Sequence, residues 1–207
     1  MDKFNFKFNN NSIDELKRFE TEVLDKIEAK SGTRRKKMFK RGNGFCEPKG
    51  SYSITYGYTS MSYLSPTKKR TPVPNKTGLY YTKLRDNHPE LLDIFQEFCY
   101  TYCDEEIVVD QIQINRNWCS PAHKDAGNVG ESYIVGIGDY EGGETVVEYS
   151  EDHIKQYNIN NTFTKFNGSK YLHYTNTFTG TRYSLVFYQH KISSAIDIDD
   201  ERNRAEP

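Results

Sequence analysis

The sequence predicts a mainly β domain braced by helices near its N-terminus. Short β-rich runs at 107–116, 132–138, 144–149, 162–166, 170–175 and 182–190 are separated by turns rich in Gly, Asn and Asp. Ahead of them lie two stretches with helical periodicity. Aromatic residues make up 14% of the chain, with 16 Tyr and 12 Phe, and supply core mass that a 35% apolar share otherwise lacks. A sandwich or barrel with helices packed on one sheet is the architecture these features specify. At 207 residues the chain is the size of one domain.

The opening MDKFNFKFNNNS has no apolar core of the kind a secretory signal needs. Ser12 with Glu15 forms a capping box and starts a helix over 12–30. Ile13, Leu16, Phe19, Val23, Leu24 and Ile27 form its apolar stripe, and Ser31-Gly32 ends it. A basic stretch follows, Arg34, Arg35, Lys36 and Lys37, then Lys40 and Arg41, before a turn at Gly42-Asn43-Gly44. Residues 51–64 carry Tyr52, Tyr56, Tyr58 and Tyr63 and read as a strand or an extended loop. Residues 65–78 hold three prolines and four basic residues, Lys68, Lys69 and Arg70 among them, and read as a loop. A second helix is expected at 88–103. Asn87 with Glu90 repeats the capping pattern, Pro89 sits in the permitted first turn, and Leu91, Leu92, Ile94, Phe95, Phe98 and Cys99 face the core. Residues 12–104 thus form a helical and basic support region, 105–191 a β core, and 192–207 an acidic tail expected to be flexible.

Composition excludes several classes. No run reaches the roughly 18–20 apolar residues of a membrane span, so no membrane partner is expected. Cys46, Cys99, Cys103 and Cys119 read as free thiols of a reducing compartment, which places the protein inside the cell rather than outside it. Cys99 and Cys103, four apart on a helix, do not match a zinc knuckle. The net charge of −1 hides a split: residues 1–100 carry 19 Lys and Arg against 12 Asp and Glu, and residues 101–207 carry 9 against 17. A polyanion contact through the basic half and a solvated basic arm with an acidic tail both explain it.

The chemistry concentrates in the β-rich half. His123-Lys124-Asp125 is an H-x-D, His173 lies fifty positions on, and Arg182-Tyr183-Ser184 opens an apolar run nine positions later. Two imidazoles and one carboxylate on one face of a metal leave positions open for co-substrate and O₂, as in non-haem Fe(II) oxygenases. In an extended segment i and i+2 point the same way, so His123 and Asp125 face inward together while Lys124 faces out. The third ligand then comes from a separate strand. A co-substrate with a distal carboxylate needs a fixed cation, and the planar fork of Arg182 suits it. Ser184, two residues along, points the same way and adds a hydroxyl.

The segments IQINRNWCSPAHKDAGNVGESYIVGIGDYEGGETVVEY and FNGSKYLHYTNTFTGTRYSLVFYQH resemble 2-oxoglutarate/Fe(II)-dependent dioxygenases over residues 80–191. They most resemble the ten-eleven-translocation/J-binding-protein branch, whose members oxidise the methyl group of pyrimidine bases in DNA and which has similar proteins in protists and large DNA viruses. The resemblance implies a double-stranded β-helix, a jelly-roll or cupin-like fold. It implies Fe(II), 2-oxoglutarate and O₂, with ascorbate as a reductant. It matches His123, Asp125 and His173 to the metal ligands and Arg182 to the 2-oxoglutarate anchor. Asn115 falls where relatives place an amide near the co-substrate, and Asp139-Tyr140-Glu141-Gly142-Gly143-Glu144 matches a structural turn and strand. The expected activity is hydroxylation of a C–H bond, favoured on a nucleic-acid base. Prolyl- or lysyl-type hydroxylation of protein side chains is the alternative, then small molecules, and a non-catalytic binding module on the same fold is the competing class.

Other residues are read against plainer roles. Asp110 and Glu131 flank the site and read as solvated turn residues more readily than as partners of a ligand imidazole. His88, His153 and His190 are not expected to bind metal. Trp118, the sole Trp, is expected to pack in the core before it stacks on a substrate ring. Nucleic-acid contact, where it occurs, is assigned to Arg34, Arg35, Lys36, Lys37, Lys68, Lys69 and Arg70, interleaved with the Tyr-rich segment.

Overall fold

The computed structural model of the chain describes residues 3–9, 12–27, 51–60, 70–74, 76, 78–103 and 111–191. In chain order its elements are α1 (Ile13–Phe19, continued by a π-turn at Glu20–Leu24), β1 (Tyr52–Tyr56), β2 (Tyr58–Ser60), β3 (Leu79–Tyr81), α2 (Lys83–Asn87) and α3 (Leu91–Tyr102). The β-rich part follows as β4 (Gln111–Arg116), β5 (Asn128–Ile137), β6 (Tyr140–Gly142), β7 (Thr145–Ser150), β8 (His153–Tyr157), β9 (Thr164–Phe166), β10 (Leu172–Thr175), β11 (Phe178–Gly180) and β12 (Tyr183–His190). The turn at 42–44, Cys46, Tyr63, Asp110, the tail 192–207 and every basic residue assigned to nucleic-acid contact except Arg70 lie outside the described residues.

Alternation along three strands divides the molecule into layers. Ile112 and Ile114 of β4, Val135 and Ile137 of β5, and Tyr183, Leu185 and Phe187 of β12 share one face of an antiparallel sheet ordered β1-β4-β12-β5-β9. Period-2 geometry sends the intervening residues, Gln113, Asn115, Ile134, Ser184 and Val186, to the opposite face. The apolar face is covered by α1, α3 and the N-terminal segment, with Phe98 at the centre. The Phe98 ring lies 4.7 Å from Phe19, 5.1 Å from Tyr102 and 6.4 Å from Phe187. The aromatics do supply the core, as the composition requires. A second antiparallel sheet, β10-β7-β8, stands against the polar face. The chain passes from one sheet to the other repeatedly: β4 large, 123 small, β5 large, β7 and β8 small, β9 large, β10 small, β12 large. That winding is a double-stranded β-helix.

Several local expectations need correction. Ser12 caps α1 as expected, accepting from the Glu15 amide at 3.4 Å, but Ile13 is 58% exposed and leaves the buried stripe to Leu16, Phe19, Val23, Leu24 and Ile27, the last lying past the helical turns, which end at Leu24 rather than running on to 30. Asn87 does not start the second helix. It ends α2, and α3 begins after the turn at Pro89–Glu90 with no side-chain cap. The described residues of 65–78 form a loop with a single bridge from Pro72 to Tyr80, and Leu79 begins β3, which pairs with β2. His153 opens strand β8. Tyr52 and Tyr56 are buried beneath the helices, 6% and 1% exposed, so neither offers a stacking surface. Tyr58 instead stacks on Tyr81 at 5.9 Å with Arg85 over both rings. No described helix is long and apolar enough to cross a membrane.

Candidate metal centre

The H-x-D is held by a short two-stranded ladder. The His123 and His173 backbones exchange both hydrogen bonds at 3.0 Å, Thr175 donates to the Ser120 carbonyl at 3.0 Å, and Asp125 donates to the Gly168 carbonyl at 2.9 Å. Residues 120–125 are therefore an added edge on β10, and alternation turns His123 and Asp125 inward while Lys124 is exposed. The ligand atoms of His123, Asp125 and His173 lie within 4.8 Å of one another. His123 Nε2 is 3.4 Å from Asp125 Oδ1, and His173 Nε2 is 3.5 Å from Asp125 Oδ2. The strands meeting here are the ones the fold brings together from fifty positions apart.

Each ring is oriented from behind. His123 Nδ1 donates to the Pro121 carbonyl at 2.7 Å, and His173 Nδ1 to the Tyr171 carbonyl at 3.1 Å. A carbonyl accepts only, so each Nδ1 carries a proton, and in the neutral ring the Nε2 lone pair faces the cluster. Burial alone would raise the Asp125 carboxyl. In their charged form the two imidazoles override it, by hydrogen bond and by charge, and hold the group well below the usual carboxylate range. Asn128 adds a hydrogen bond to Asp125 Oδ2 at 3.3 Å and is itself tied to Ser132 at 3.1 Å. Gly168 lies close behind: a Cβ there would stand 3.0 Å from Asp125 Oδ2 and 3.3 Å from His173 Cε1. Two imidazole nitrogens and one carboxylate oxygen suit a divalent ion such as Fe(II) or Mn(II) with further positions open.

Those positions open into a cavity of about 360 Å³ between the two sheets, a volume suited to a small ligand. Its floor includes Gln113, Asn115 and Ser184, and Thr145 and Thr175 face them from the small sheet. Trp118, expected in the core, is a half-buried wall of the cavity beside Tyr174 and Tyr188. Apart from the cluster itself, no charged side chain lines it among the described residues.

Arg182 is 1% exposed and stands behind the Thr145–Ser184 end rather than on the lining. Its Nη2 donates to the Gly143 carbonyl at 3.0 Å, and its guanidinium lies 5.6 and 5.4 Å from the Tyr140 and Phe178 rings. Burial lowers its pKa, and the neighbouring Tyr140 and Cys119 push back. Gly143 has φ 72°, and a Cβ on it would sit 2.8 Å from Arg182 Nε, so only glycine lets the guanidinium lie flat here. Among the described residues, three buried polar atoms on this side have no hydrogen-bond partner: Arg182 Nε, the Tyr140 hydroxyl and Thr145 Oγ1. Orphaned donors around a buried cation are the chemistry of an anion site.

His123, Asp125, His173, Asn115 and Ser184 thus meet at one cavity, with Arg182 behind its wall. Glu131 is exposed on β5, in line with its reading as a solvated residue, though on a strand rather than a turn. His88 pairs with Glu90, and His153 stacks on Tyr149, so neither joins the cluster. Asn128, Gly168, Gln113, Tyr140 and Thr145 were not singled out from sequence. For Asn128 a signal existed, an amide three residues after the ligand carboxylate.

No protein-family model matches the chain, and no curated protein matches it significantly. Among solved structures, it is similar to a 2OG-Fe(II) oxygenase family oxidoreductase from Burkholderia pseudomallei, at 15% identity and a TM-score of 0.43 over 91% of this chain and 94% of that one. It is similar to NgTET1 in complex with 5mC DNA, at 14% identity and a TM-score of 0.42 over 82% of this chain and 74% of that one. OsALKBH1 follows at 13% identity and a TM-score of 0.36 over 74% and 88%.

Proposed function

We propose that the protein is an Fe(II)- and 2-oxoglutarate-dependent oxygenase that hydroxylates a C–H bond of a nucleic-acid base, with a pyrimidine methyl group the favoured position. The observation that carries the reaction class is the His123–Asp125–His173 cluster, with its Nε2 atoms freed by backbone carbonyls and its open side on a cavity. His123, Asp125 and His173 would hold the iron. Arg182, with the Tyr140 hydroxyl, Thr145 and Ser184, would take the distal carboxylate of 2-oxoglutarate. When bound, the iron with 2-oxoglutarate and O₂ supplies the oxidising equivalent, and the co-substrate leaves as succinate and CO₂.

The chain's own residues prepare that chemistry. The Pro121 and Tyr171 carbonyls hold both imidazoles in the ligating tautomer. Asn128 keeps the Asp125 carboxylate turned toward them. Arg182 is almost fully buried, so a carboxylate beside it meets a charge little screened by solvent. The flat side chains Trp118, Tyr174 and Tyr188 at the cavity wall suit a planar ring.

The test is product analysis. Incubated with Fe(II), 2-oxoglutarate and ascorbate, the protein is expected to release succinate and to leave hydroxylated nucleosides in DNA or RNA, read by mass spectrometry. No succinate with any substrate overturns the reaction class. Hydroxylated peptide side chains beside unmodified nucleosides move the substrate to protein.

A cavity lined without cations leaves phosphates to be neutralised outside it, and the surplus of Lys and Arg over 1–100 supplies the groups. Neutralising about four phosphates on a duplex gives a log–log salt slope of about −3.6. Replacing Arg34, Arg35, Lys36 and Lys37 together with Gln is expected to flatten that slope and weaken binding to every sequence alike. Identical slopes in a salt titration of both proteins, or no binding at low salt, count against the nucleic-acid reading.

A further inference from the structure

The pocket face of the large sheet carries a chain of side-chain hydrogen bonds that neither the metal cluster nor the core requires. It begins on β1, at the sheet edge, and ends on β12. The Thr55 hydroxyl donates to Gln113 Oε1 at 2.8 Å. Gln113 Nε2 donates to Ser53 Oγ at 2.8 Å, and the Ser53 hydroxyl donates to Asn115 Oδ1 at 2.6 Å. Asn115 Nδ2 then donates to Ser184 Oγ at 3.1 Å. Strand register sets this up: Ser53, Asn115 and Ser184 lie in one row across three strands, and Thr55 and Gln113 in the row two residues along.

Every link runs in one direction, and the amides enforce it. Each has one accepting and one donating end, and in each the accepting end is held by a hydroxyl of β1. Asn115 therefore shows Ser184 its NH₂. Ser184 accepts there and keeps its own hydrogen, which no described residue takes. The residue is 3% exposed, lines the cavity, and lies two positions along the strand from Arg182.

We infer that Ser53, Thr55 and Gln113 are positioning residues for co-substrate binding: through Asn115 they fix the direction of the Ser184 hydroxyl, the donor already assigned to the distal carboxylate. The inference rests on the function proposed above. It assigns a role to Ser53 and Thr55, which do not line the cavity and touch neither metal nor co-substrate. In a low-dielectric pocket, links aligned head to tail polarise one another, and the last donor gains most when it meets an anion.

The test measures 2-oxoglutarate binding calorimetrically to the Mn(II)-loaded protein, without turnover. In Ser53→Ala the Asn115 carbonyl loses its donor, the amide is free to turn over, and Ser184 turns its hydrogen back toward it. The dissociation constant for 2-oxoglutarate is expected to rise about tenfold, the weight of one charge-assisted hydrogen bond. Mn(II) affinity and melting temperature should not move. Ser53→Thr keeps the hydroxyl and should restore binding. Asn115→Asp offers Ser184 an acceptor in place of a donor and should weaken binding at least as much as Ser53→Ala. Wild-type affinity in Ser53→Ala, a loss that Ser53→Thr does not rescue, or an equal loss of Mn(II) affinity overturns the chain and leaves the proposed function standing. Failure of the wild-type Mn(II) protein to bind 2-oxoglutarate overturns both.

Discussion

His173→Ala is expected to abolish turnover and iron binding while the fold survives. The ring nitrogen is one of three donors, and two donors do not hold a divalent ion against water. Losing a partner outside the ligand set typically costs about 10–100-fold in metal affinity, and losing a ligand should cost more. The fold should persist because His173 contributes its backbone, not its ring, to the ladder with His123. The apolar core lies on the far face of the large sheet, around Phe98 and Phe19. Anaerobic Fe(II) titration and thermal melting check the two halves separately. Full activity of His173→Ala with Fe(II) removes the assignment.

What could be read in the sequence was what backbone period alone determines. The inward pairing of His123 and Asp125 needs only an extended segment, and the ladder to β10 provides one. The alternation of Ile112, Ile114, Leu185 and Phe187 with Gln113, Asn115 and Ser184 likewise follows from period 2, so the two faces of the large sheet were implicit in the residues. Where the reading failed, a distant partner decided. Tyr52 and Tyr56 sit on a strand whose outward face is capped by helices from either side of it in sequence, and no local pattern distinguishes that from an exposed aromatic face. Trp118 reads as core by size, and it borders the cavity that lies between the two sheets. Asn87 has the composition of a cap, but the four residues before it close a turn of helix with Thr82 ahead of them, so it ends one element instead of starting the next. The turn and strand at 139–144 were legible, but the pairing of β6 with β11 depends on a distant partner in the same way. Each strand has three residues, and their pairing exists only because the chain returns beside Asp139–Gly142 to deliver Arg182.

Arg182→Lys is expected to raise the 2-oxoglutarate requirement about 10–100-fold with little change in iron affinity. Lysine keeps the charge and loses the fork. The guanidinium spends Nη2 on the Gly143 carbonyl and still has Nε and the remaining N–H groups to present to a carboxylate. An ammonium in the same space must choose between the carbonyl and the ligand. It also loses the flat contact between the Tyr140 and Phe178 rings, which a planar cation fills and a point charge does not. The substitution should bring a pH dependence that the wild type lacks. Burial lowers the pKa of both side chains, but arginine starts so high that it stays charged, whereas a lysine in a site this enclosed titrates much nearer neutrality. The charged form prevails at low pH. Co-substrate binding by Arg182→Lys should therefore be strongest on the acid side and fall as pH rises, while wild-type binding stays level over the same range. The measurement is calorimetric titration with 2-oxoglutarate at several pH values on Mn(II)-loaded protein. Unchanged affinity in the variant at every pH places the carboxylate anchor elsewhere. A uniform loss without pH dependence shows that geometry, not charge, is what the variant removes.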